Sequence, residues 1–247
     1  MRTVCLPGAR VFTGPLVLVN RQHPLRCGTG DTLTAVDDRH PEIRLDRQAA
    51  RLLSACIQKV GGGAEIVPVS GWRSQAEQQQ IWDDTLSESG SDFTRKYVAY
   101  PGCSEHQTGL AIDLGRAAGH IDFIRPAFPY DGTCGAFRRA AASYGFIERY
   151  RRGKESLTGI APEPWHFRYV GVPHARLMEE NDLCLEEYSG FLRQRPRSCP
   201  LPDGRLAQVF YVPCAGEVTE LQLPDGCCQI SGDNVGGFIV TAWGCPA

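Results

Sequence analysis

Two prolines fix the backbone around one glutamate and so limit what this part of the chain can form. Pro162 and Pro164 flank Glu163 in the segment EPWH at 163 to 166, and they exclude a helix there. The segment must therefore be extended or bent. Side chains three positions apart in a regular strand face opposite sides. We therefore expect the prolines to supply a bend that points Glu163 to the same site as His166.

A second segment, SEHQTGLAID at 104 to 113, supplies another imidazole and a carboxylate. A turn after His106 leads into a predicted strand that ends near Asp113, so both side chains can approach one point. Together with His166 they match the three protein ligands of a catalytic zinc site, and Glu163 is left to move a proton. The helical H-E-x-x-H pattern of common zinc proteases does not occur here. The spacing alone leaves a zinc site and an incidental match both open.

Composition narrows the class of protein. The 247 residues are 42% hydrophobic and 22% charged, with a formal net charge of -2, which fits a globular protein and gives no reason to expect a nucleic-acid partner. The short basic run Arg149, Arg151, Arg152 and Lys154 is typical of a solvated loop. No apolar run approaches the ~18 residues that span a bilayer, and no signal peptide is evident. We expect a cytoplasmic protein, or an extracytoplasmic one if a native N-terminal anchor is missing from this sequence.

The chain has 11 cysteines. Their odd number and irregular spacing favour reduced thiols, although disulfides among them stay open. Cys103 lies beside the candidate site and is a further candidate ligand, but the set of two histidines and one aspartate is already complete for zinc.

Local patterns predict an α+β fold. Apolar residues at helical spacing predict a helix over 46–60, and Ser74 with Glu77 predicts a capping box that starts another, with Arg73 on the turn before it. Other signals predict an N-terminal strand at 15–20 that packs on the main domain, and a boundary at 195–204. We therefore expect a domain over 1–194, with a small antiparallel sheet, surrounding helices and an N-terminal arm, and a small all-β extension over 195–247. The further predicted strands are 64–69, 109–114, 146–150 and 165–170, and the further predicted helices are 134–144, 173–181 and 183–194.

Longer motifs carry a resemblance to a known family. The sequence resembles the VanY and VanXY group of D,D-carboxypeptidases within the D-Ala-D-Ala metallopeptidase family, over about residues 15–190. The pattern S-x-H-x-x-G-x-A-x-D followed by E-x-W-H is quite specific to that family. The matching segments are LVLVNRQHPL at 16–25, SGWRS at 70–74 with Gln78, PGCSEHQTGLAID at 101–113, GKESLTGI at 153–160 and EPWHFRYVG at 163–171.

The resemblance implies a role for each matched residue. It makes one Zn2+ ion the cofactor and Glu163 the catalytic carboxylate, and it places Arg73 where the family polarises the scissile carbonyl. Ser104 and Gln78 fall at substrate-contact positions, Tyr150 is matched only by its place before GKE, and Glu105 and Gln107 receive no role. Arg73 and Ser104 could alternatively bind the substrate's terminal carboxylate. The implied zinc ligands are His106, Asp113 and His166.

The implied substrates are peptidoglycan precursor peptides ending in D-Ala-D-Ala. The implied reaction removes the terminal D-Ala, with D-Ala-D-Ala dipeptidase activity as a further option and a role in glycopeptide resistance. An L,D-carboxypeptidase or a cell-wall endopeptidase on the same zinc site is the alternative. A non-catalytic cell-wall-binding module is disfavoured, because such a module need not keep Glu163. The oligomeric state stays open, with a dimer among the options.

Overall fold

An antiparallel sheet organises the part of the chain that carries the candidate site. The computed structural model describes residues 2–27, 32–201 and 204–244. Residues 19–175 form one compact unit, and residues 1–18 with 176–247 form another. The predicted domain division at residue 195 stays a prediction, and residues 202–203 of its boundary segment lie outside the described residues.

The described residues form six α-helices and twelve β-strands. The helices are α1 (Arg47–Lys59), α2 (Gln75–Tyr97), α3 (Gly132–Ala141), α4 (Glu155–Thr158), α5 (Val172–Glu180) and α6 (Leu185–Gln194). The strands are β1 (Arg2–Pro7), β2 (Leu33–Ala35), β3 (Arg44–Asp46), β4 (Ile66–Ser70), β5 (Ala111–Arg116), β6 (Phe146–Tyr150), β7 (Glu163–Tyr169), β8 (Arg197–Pro200), β9 (Leu206–Pro213), β10 (Val218–Leu223), β11 (Cys227–Gly232) and β12 (Gly237–Trp243).

In the unit of residues 19–175, four strands form one sheet in the order β4-β5-β7-β6, and every neighbouring pair is antiparallel. Helices α1 and α3 contribute to the same core as the sheet, through buried side chains such as Leu53 on α1, Phe137 on α3 and Phe167 on β7. A small antiparallel sheet with surrounding helices is the α+β class that the sequence predicts, and that prediction is confirmed.

The helices on either side of β4, α1 before it and α2 after it, both begin at side-chain caps. The Asp46 carboxylate accepts hydrogen bonds from the backbone of Gln48 at 2.9 Å and Ala49 at 3.2 Å, which starts α1. The capping box predicted at Ser74 is present, because the Glu77 backbone N–H donates to Ser74 Oγ at 3.2 Å and the Ser74 N–H donates to Glu77 Oε2 at 2.7 Å. This cap holds Arg73 on the turn between β4 and α2.

Strand β7 contains the bend that the flanking prolines predict. Phe167 pairs with Glu148 of β6, whereas Glu163 pairs with Tyr150. From one pair to the other the chain advances by four residues on β7 but by only two on β6. This mismatch in register is a bulge. The bulge breaks the alternation of side chains, so Glu163 and His166 can face one site although they are three positions apart. The prediction that this segment is extended is confirmed.

The unit of residues 1–18 and 176–247 is mainly β-structure. Strand β1 pairs with β10, and a second sheet has the order β11-β12-β9-β8. The strand predicted at 15–20 was wrong. Leu16 donates its N–H to Ser231 Oγ at 2.9 Å, and the N–H of Leu18 donates to Asp233 O at 3.1 Å. These bonds run to a side chain and to a turn, so this buried apolar segment joins no ladder, and the N-terminal strand is β1.

The structure describes ten cysteines, and all ten are free thiols. Cys103 is half-buried and is not part of the cluster that could hold a metal ion. In the described ranges, no helix combines the length and the apolar character that crossing a membrane requires.

Candidate active site

Three side chains from three segments converge at one point, and two of them come from β5 and β7, the central strands of the sheet. His106, Asp113 and His166 are each 4% exposed, and one ligand atom from each lies within 4.8 Å of the others. Asp113 Oδ2 is 3.1 Å from His106 Nε2, and Asp113 Oδ1 is 2.9 Å from His166 Nδ1. Two imidazole nitrogens and one carboxylate are donors that suit Zn2+. The cluster could therefore hold a metal ion.

The fold explains why these side chains meet. Asp113 on β5 lies directly opposite His166 on β7, and opposite residues of an antiparallel pair share one face of the sheet. His106 lies in the 3-10 turn of residues 105–108, which ends at Gly109 with φ 68°, a backbone conformation that favours glycine. His106 Nδ1 is 2.6 Å from the carbonyl oxygen of Gly71. This contact fixes Nδ1 as the donor and leaves Nε2 to act as a ligand.

The charges of the cluster are strongly coupled. Burial and the neighbouring Arg73 lower the pKa of His106 to about 4. Burial disfavours the imidazolium of His166, but the hydrogen bond to Asp113 and the proximity of Glu105 outweigh this and raise its pKa to about 9. Burial alone would raise the pKa of Asp113, yet the two histidines hold it well below its usual range. Asp113 is therefore charged, as a metal ligand must be.

Glu163 faces the same cluster from the bulge in β7. Its Oε2 lies 3.8 Å from His166 Nδ1, and the side chain is almost fully buried. Burial is the main reason why the pKa of Glu163 rises to about 8. A carboxyl group with a pKa near neutrality can both accept and return a proton.

The guanidinium of Arg73 is held at the cluster by three contacts. Its Nη2 donates to Asp113 Oδ2 at 3.0 Å, its Nε donates to Ser70 Oγ at 2.8 Å, and its Nη1 donates to Gln78 Oε1 at 3.3 Å. Gln78 is buried and donates its own N–H to the carbonyl oxygen of Ala99 at 2.8 Å. These bonds present Gln78 as a support for Arg73, a contact that the sequence did not suggest.

All eight residues singled out in the sequence line one cavity of about 40 Å³. Ser104 lines it although only 1% of its surface is exposed. The ring centroid of Tyr150 lies 4.9 Å from that of His166. The structure thus brings these side chains together, while their individual roles stay predictions. The eight are Arg73, Gln78, Ser104, His106, Asp113, Tyr150, Glu163 and His166.

A buried charge cluster behind His166 was missed. Glu105 is 1% exposed, and its Oε1 lies 2.8 Å from Arg149 Nε and 2.9 Å from Arg168 Nη1. Its other oxygen, Oε2, faces His166 Nε2 at 3.7 Å. The solvated-loop prediction was wrong for Arg149, which lies on β6 and is 1% exposed. The sequence did carry a signal for the burial of Arg149, because this residue stands among aromatic and aliphatic residues in the strand FIERY.

The sequence match agrees with this geometry. The VanY family, described as D-alanyl-D-alanine carboxypeptidase, matches residues 42–172, a range that contains all of the site residues above. The chain belongs to the VanY family of D-alanyl-D-alanine carboxypeptidases. The resemblance deduced from the motifs is confirmed.

Similar proteins include both D-Ala-D-Ala dipeptidases and D-Ala-D-Ala carboxypeptidases. The bifunctional D-Ala-D-Ala dipeptidase and D-Ala-D-Ala carboxypeptidase VanXYC of Enterococcus gallinarum is 38% identical over 184 residues, which are 74% of this chain and 97% of that protein. The vancomycin resistance D,D-dipeptidase VanXYg, solved with a D-Ala-D-Ala phosphinate analog, is 48% identical with a TM-score of 0.95 over 98% of each chain.

A further VanY relative is a solved structure that contains a metal. It is a glutamate-to-alanine mutant of the vancomycin resistance D,D-pentapeptidase VanY, in complex with Zn(II). It is 30% identical with a TM-score of 0.58, over 70% of this chain and 98% of that chain. Its fold and its metal are consistent with the donor set described above.

Proposed function

We propose that this chain is a zinc-dependent D,D-carboxypeptidase that removes the terminal D-Ala from peptidoglycan precursors ending in D-Ala-D-Ala. We also propose that it splits the D-Ala-D-Ala dipeptide, with a consequent role in glycopeptide resistance. The observation that carries the proposal is the convergence of His106, Asp113 and His166 with Glu163 in one buried cavity. Two dipeptidase relatives support it, since one is 48% identical over 98% of this chain and the other matches along 97% of its own length.

His106 Nε2, His166 Nδ1 and an oxygen of Asp113 would hold the zinc ion. Bound there, zinc would act as a Lewis acid and activate water for attack on an amide carbonyl at neutral pH. Glu163 would accept the proton of the attacking water and then pass it to the amine of the leaving D-Ala. The raised pKa of Glu163, about 8, suits both halves of this transfer.

Arg73 supplies a fixed positive charge for the same step. Its three hydrogen bonds fix the guanidinium before substrate arrives, so little reorganisation is needed as negative charge develops on the carbonyl oxygen. Gln78 would act by orienting Arg73. Ser104 and Tyr150 also line the cavity and would contact the substrate.

The test is a D-alanine release assay on three substrates, with and without a chelator. The substrates are the dipeptide D-Ala-D-Ala, a pentapeptide ending in D-Ala-D-Ala, and the tetrapeptide that ends in a single D-Ala. We expect release from the dipeptide and the pentapeptide, loss of release with chelator, and recovery when Zn2+ is added. Release from the tetrapeptide alone would instead support the L,D-carboxypeptidase alternative. The cytoplasmic location stays a prediction.

A further inference from the structure

A second, larger cavity adjoins the candidate active site. It has a volume of about 240 Å³ and lies within the unit of residues 19–175. Four residues line both cavities, so the two share a wall. We call the larger one the side cavity. The shared residues are Val98, Ala99, Tyr150 and Ile160.

The charged residues of the side cavity are all positive. Arg21 and Arg95 line it, and its described lining residues include no aspartate or glutamate. Neither arginine forms an ion pair with a described residue. Two cations that are not neutralised by an ion pair, in a cavity with no acidic residue in its described lining, create a positive potential that attracts an anion.

Aromatic side chains accompany these charges. The rings of Trp82 and Tyr100 meet edge to face at 5.3 Å, and the guanidinium of Arg21 lies 5.9 Å from the centre of the Tyr100 ring. Tyr100 is 50% exposed, which leaves a face for a ligand. A concave surface with apolar walls and a few cations suits an extended, negatively charged peptide.

From this arrangement, and resting on the function proposed above, we infer that the side cavity binds the acidic upstream part of the stem peptide, with Arg21 and Arg95 pairing with the free carboxylate of its γ-linked D-glutamyl residue. One residue lies between this D-glutamyl residue and the D-Ala-D-Ala end. An extended chain advances about 3.3–3.6 Å per residue, so a substrate with its scissile bond at the cluster extends past the shared wall. The dipeptide is too short to do so.

The experiment compares two pentapeptides that differ by one charge. One contains γ-linked D-glutamate, and the other contains D-isoglutamine, which replaces the free carboxylate with a neutral amide. The protein variants are Arg21→Gln, Arg95→Gln and their combination, with Arg51→Gln on the exposed face of α1 as the matched control. Cleavage of D-Ala-D-Ala reports the catalytic centre alone.

We expect kcat/KM of the wild-type protein to be about 5- to 20-fold higher for the acidic pentapeptide than for the amide one. The double variant should lower kcat/KM for the acidic peptide to the level of the amide peptide. It should leave the amide peptide and the dipeptide unchanged within about twofold, because neither offers a carboxylate at that position. Arg51→Gln should behave like the wild-type protein.

Equal rates for the two pentapeptides, or an equal loss with both, would overturn the inference and leave the catalytic proposal standing. Cleavage of the dipeptide alone would overturn the inference and would also remove the carboxypeptidase part of the proposed function. If no substrate is cleaved, the proposed function fails, and binding decides the inference separately. Calorimetry would then compare the acidic tetrapeptide with its isoglutamine form. A tighter Kd for the acidic form that the double variant abolishes supports the side cavity, and equal Kd values refute it.

Discussion

The Nε2 atom of His166 faces the Oε2 atom of Glu105 across 3.7 Å, on the side of the imidazole away from Asp113. This distance exceeds that of a hydrogen bond, so the two groups interact electrostatically. Burial alone would raise the pKa of Glu105, but the two arginines that fix its carboxylate hold that pKa well below its usual range. Glu105 is therefore a charged group that can orient His166 Nδ1 toward a metal ion.

Replacing this carboxylate should weaken metal binding. We expect Glu105→Gln to lower the affinity for Zn2+ by about 10- to 100-fold, the usual effect of removing a partner of a metal-binding histidine. Competition with a chromophoric chelator measures the Kd. Glu105→Asp keeps the charge and should lose less, and Glu88→Gln on the exposed surface of α2 is the control.

A lower affinity has to be separated from a folding defect. Breaking a buried ion pair can cost about 3–5 kcal/mol of stability, so thermal unfolding of each metal-free variant accompanies the titration. A folded Glu105→Gln protein that binds Zn2+ as tightly as the wild-type protein would rule out the orienting role.

Glu163 should be needed for turnover and not for metal binding. Its carboxylate is outside the set of three ligands, so Glu163→Gln should bind Zn2+ with a Kd within a few-fold of the wild-type value. Losing a general acid–base group should reduce kcat by about 100- to 10,000-fold. Metal analysis and D-alanine release on the same preparation test both statements. A Glu163→Gln protein with wild-type kcat would transfer the proton role to another residue.

The parts of the fold and site that the sequence predicts are those with local causes. The capping box at Ser74 depends on residues three positions apart. The bend at Glu163 follows from its two neighbouring prolines, and the helix over 46–60 follows from its apolar spacing. The residues of the candidate metal cluster are recognisable because they recur in a family motif, and the structure brings them within 4.8 Å of one another.

The parts that escape prediction depend on distant partners. Arg149 belongs to a basic run that resembles a solvated loop, and its acidic partner, Glu105, is 44 positions away. The apolar segment that contains Leu16 has the composition of a strand, but its hydrogen-bond partner Ser231 is 215 positions away. Composition records which groups need partners, and only the tertiary structure shows where those partners lie.

Arg73 should contribute to rate through its charge and its fixed position. Removing one such stabiliser typically costs about 100- to 1,000-fold in kcat, which we expect for Arg73→Ala with Zn2+ still bound. Arg73→Lys keeps the charge but loses the forked contacts with Asp113, Ser70 and Gln78, so it should recover only part of the rate.

A matched comparison at Gln78 isolates the positioning effect. Gln78→Ala leaves Arg73 in place and removes its contact at 3.3 Å, so kcat should fall less than in Arg73→Ala, with the dipeptide KM little changed. Steady-state kinetics on D-Ala-D-Ala separates these cases. Unchanged kcat in Arg73→Ala would remove this arginine from the mechanism.

His174 should make the fold sensitive to acid. It lies on α5, is 2% exposed, and burial lowers its pKa from 6.5 to about 3. Between these two pH values His174 is protonated in the unfolded chain but neutral in the folded protein. The contribution of His174 to stability is therefore complete above pH 6.5 and declines as the pH falls toward 3. The decline is about 1.4 kcal/mol per pH unit.

Urea unfolding of the metal-free protein at pH 6.5 and pH 4.5 measures this contribution. Over that interval the wild-type protein should lose roughly 2–3 kcal/mol more than His174→Gln, whose side chain does not titrate. A buried glutamine packs differently and changes the stability at both pH values, so the difference between the two pH values is the quantity compared. His120→Gln at an exposed position should show the wild-type decline. Equal declines in the wild-type protein and His174→Gln would show that the folded protein does not lower the pKa of His174.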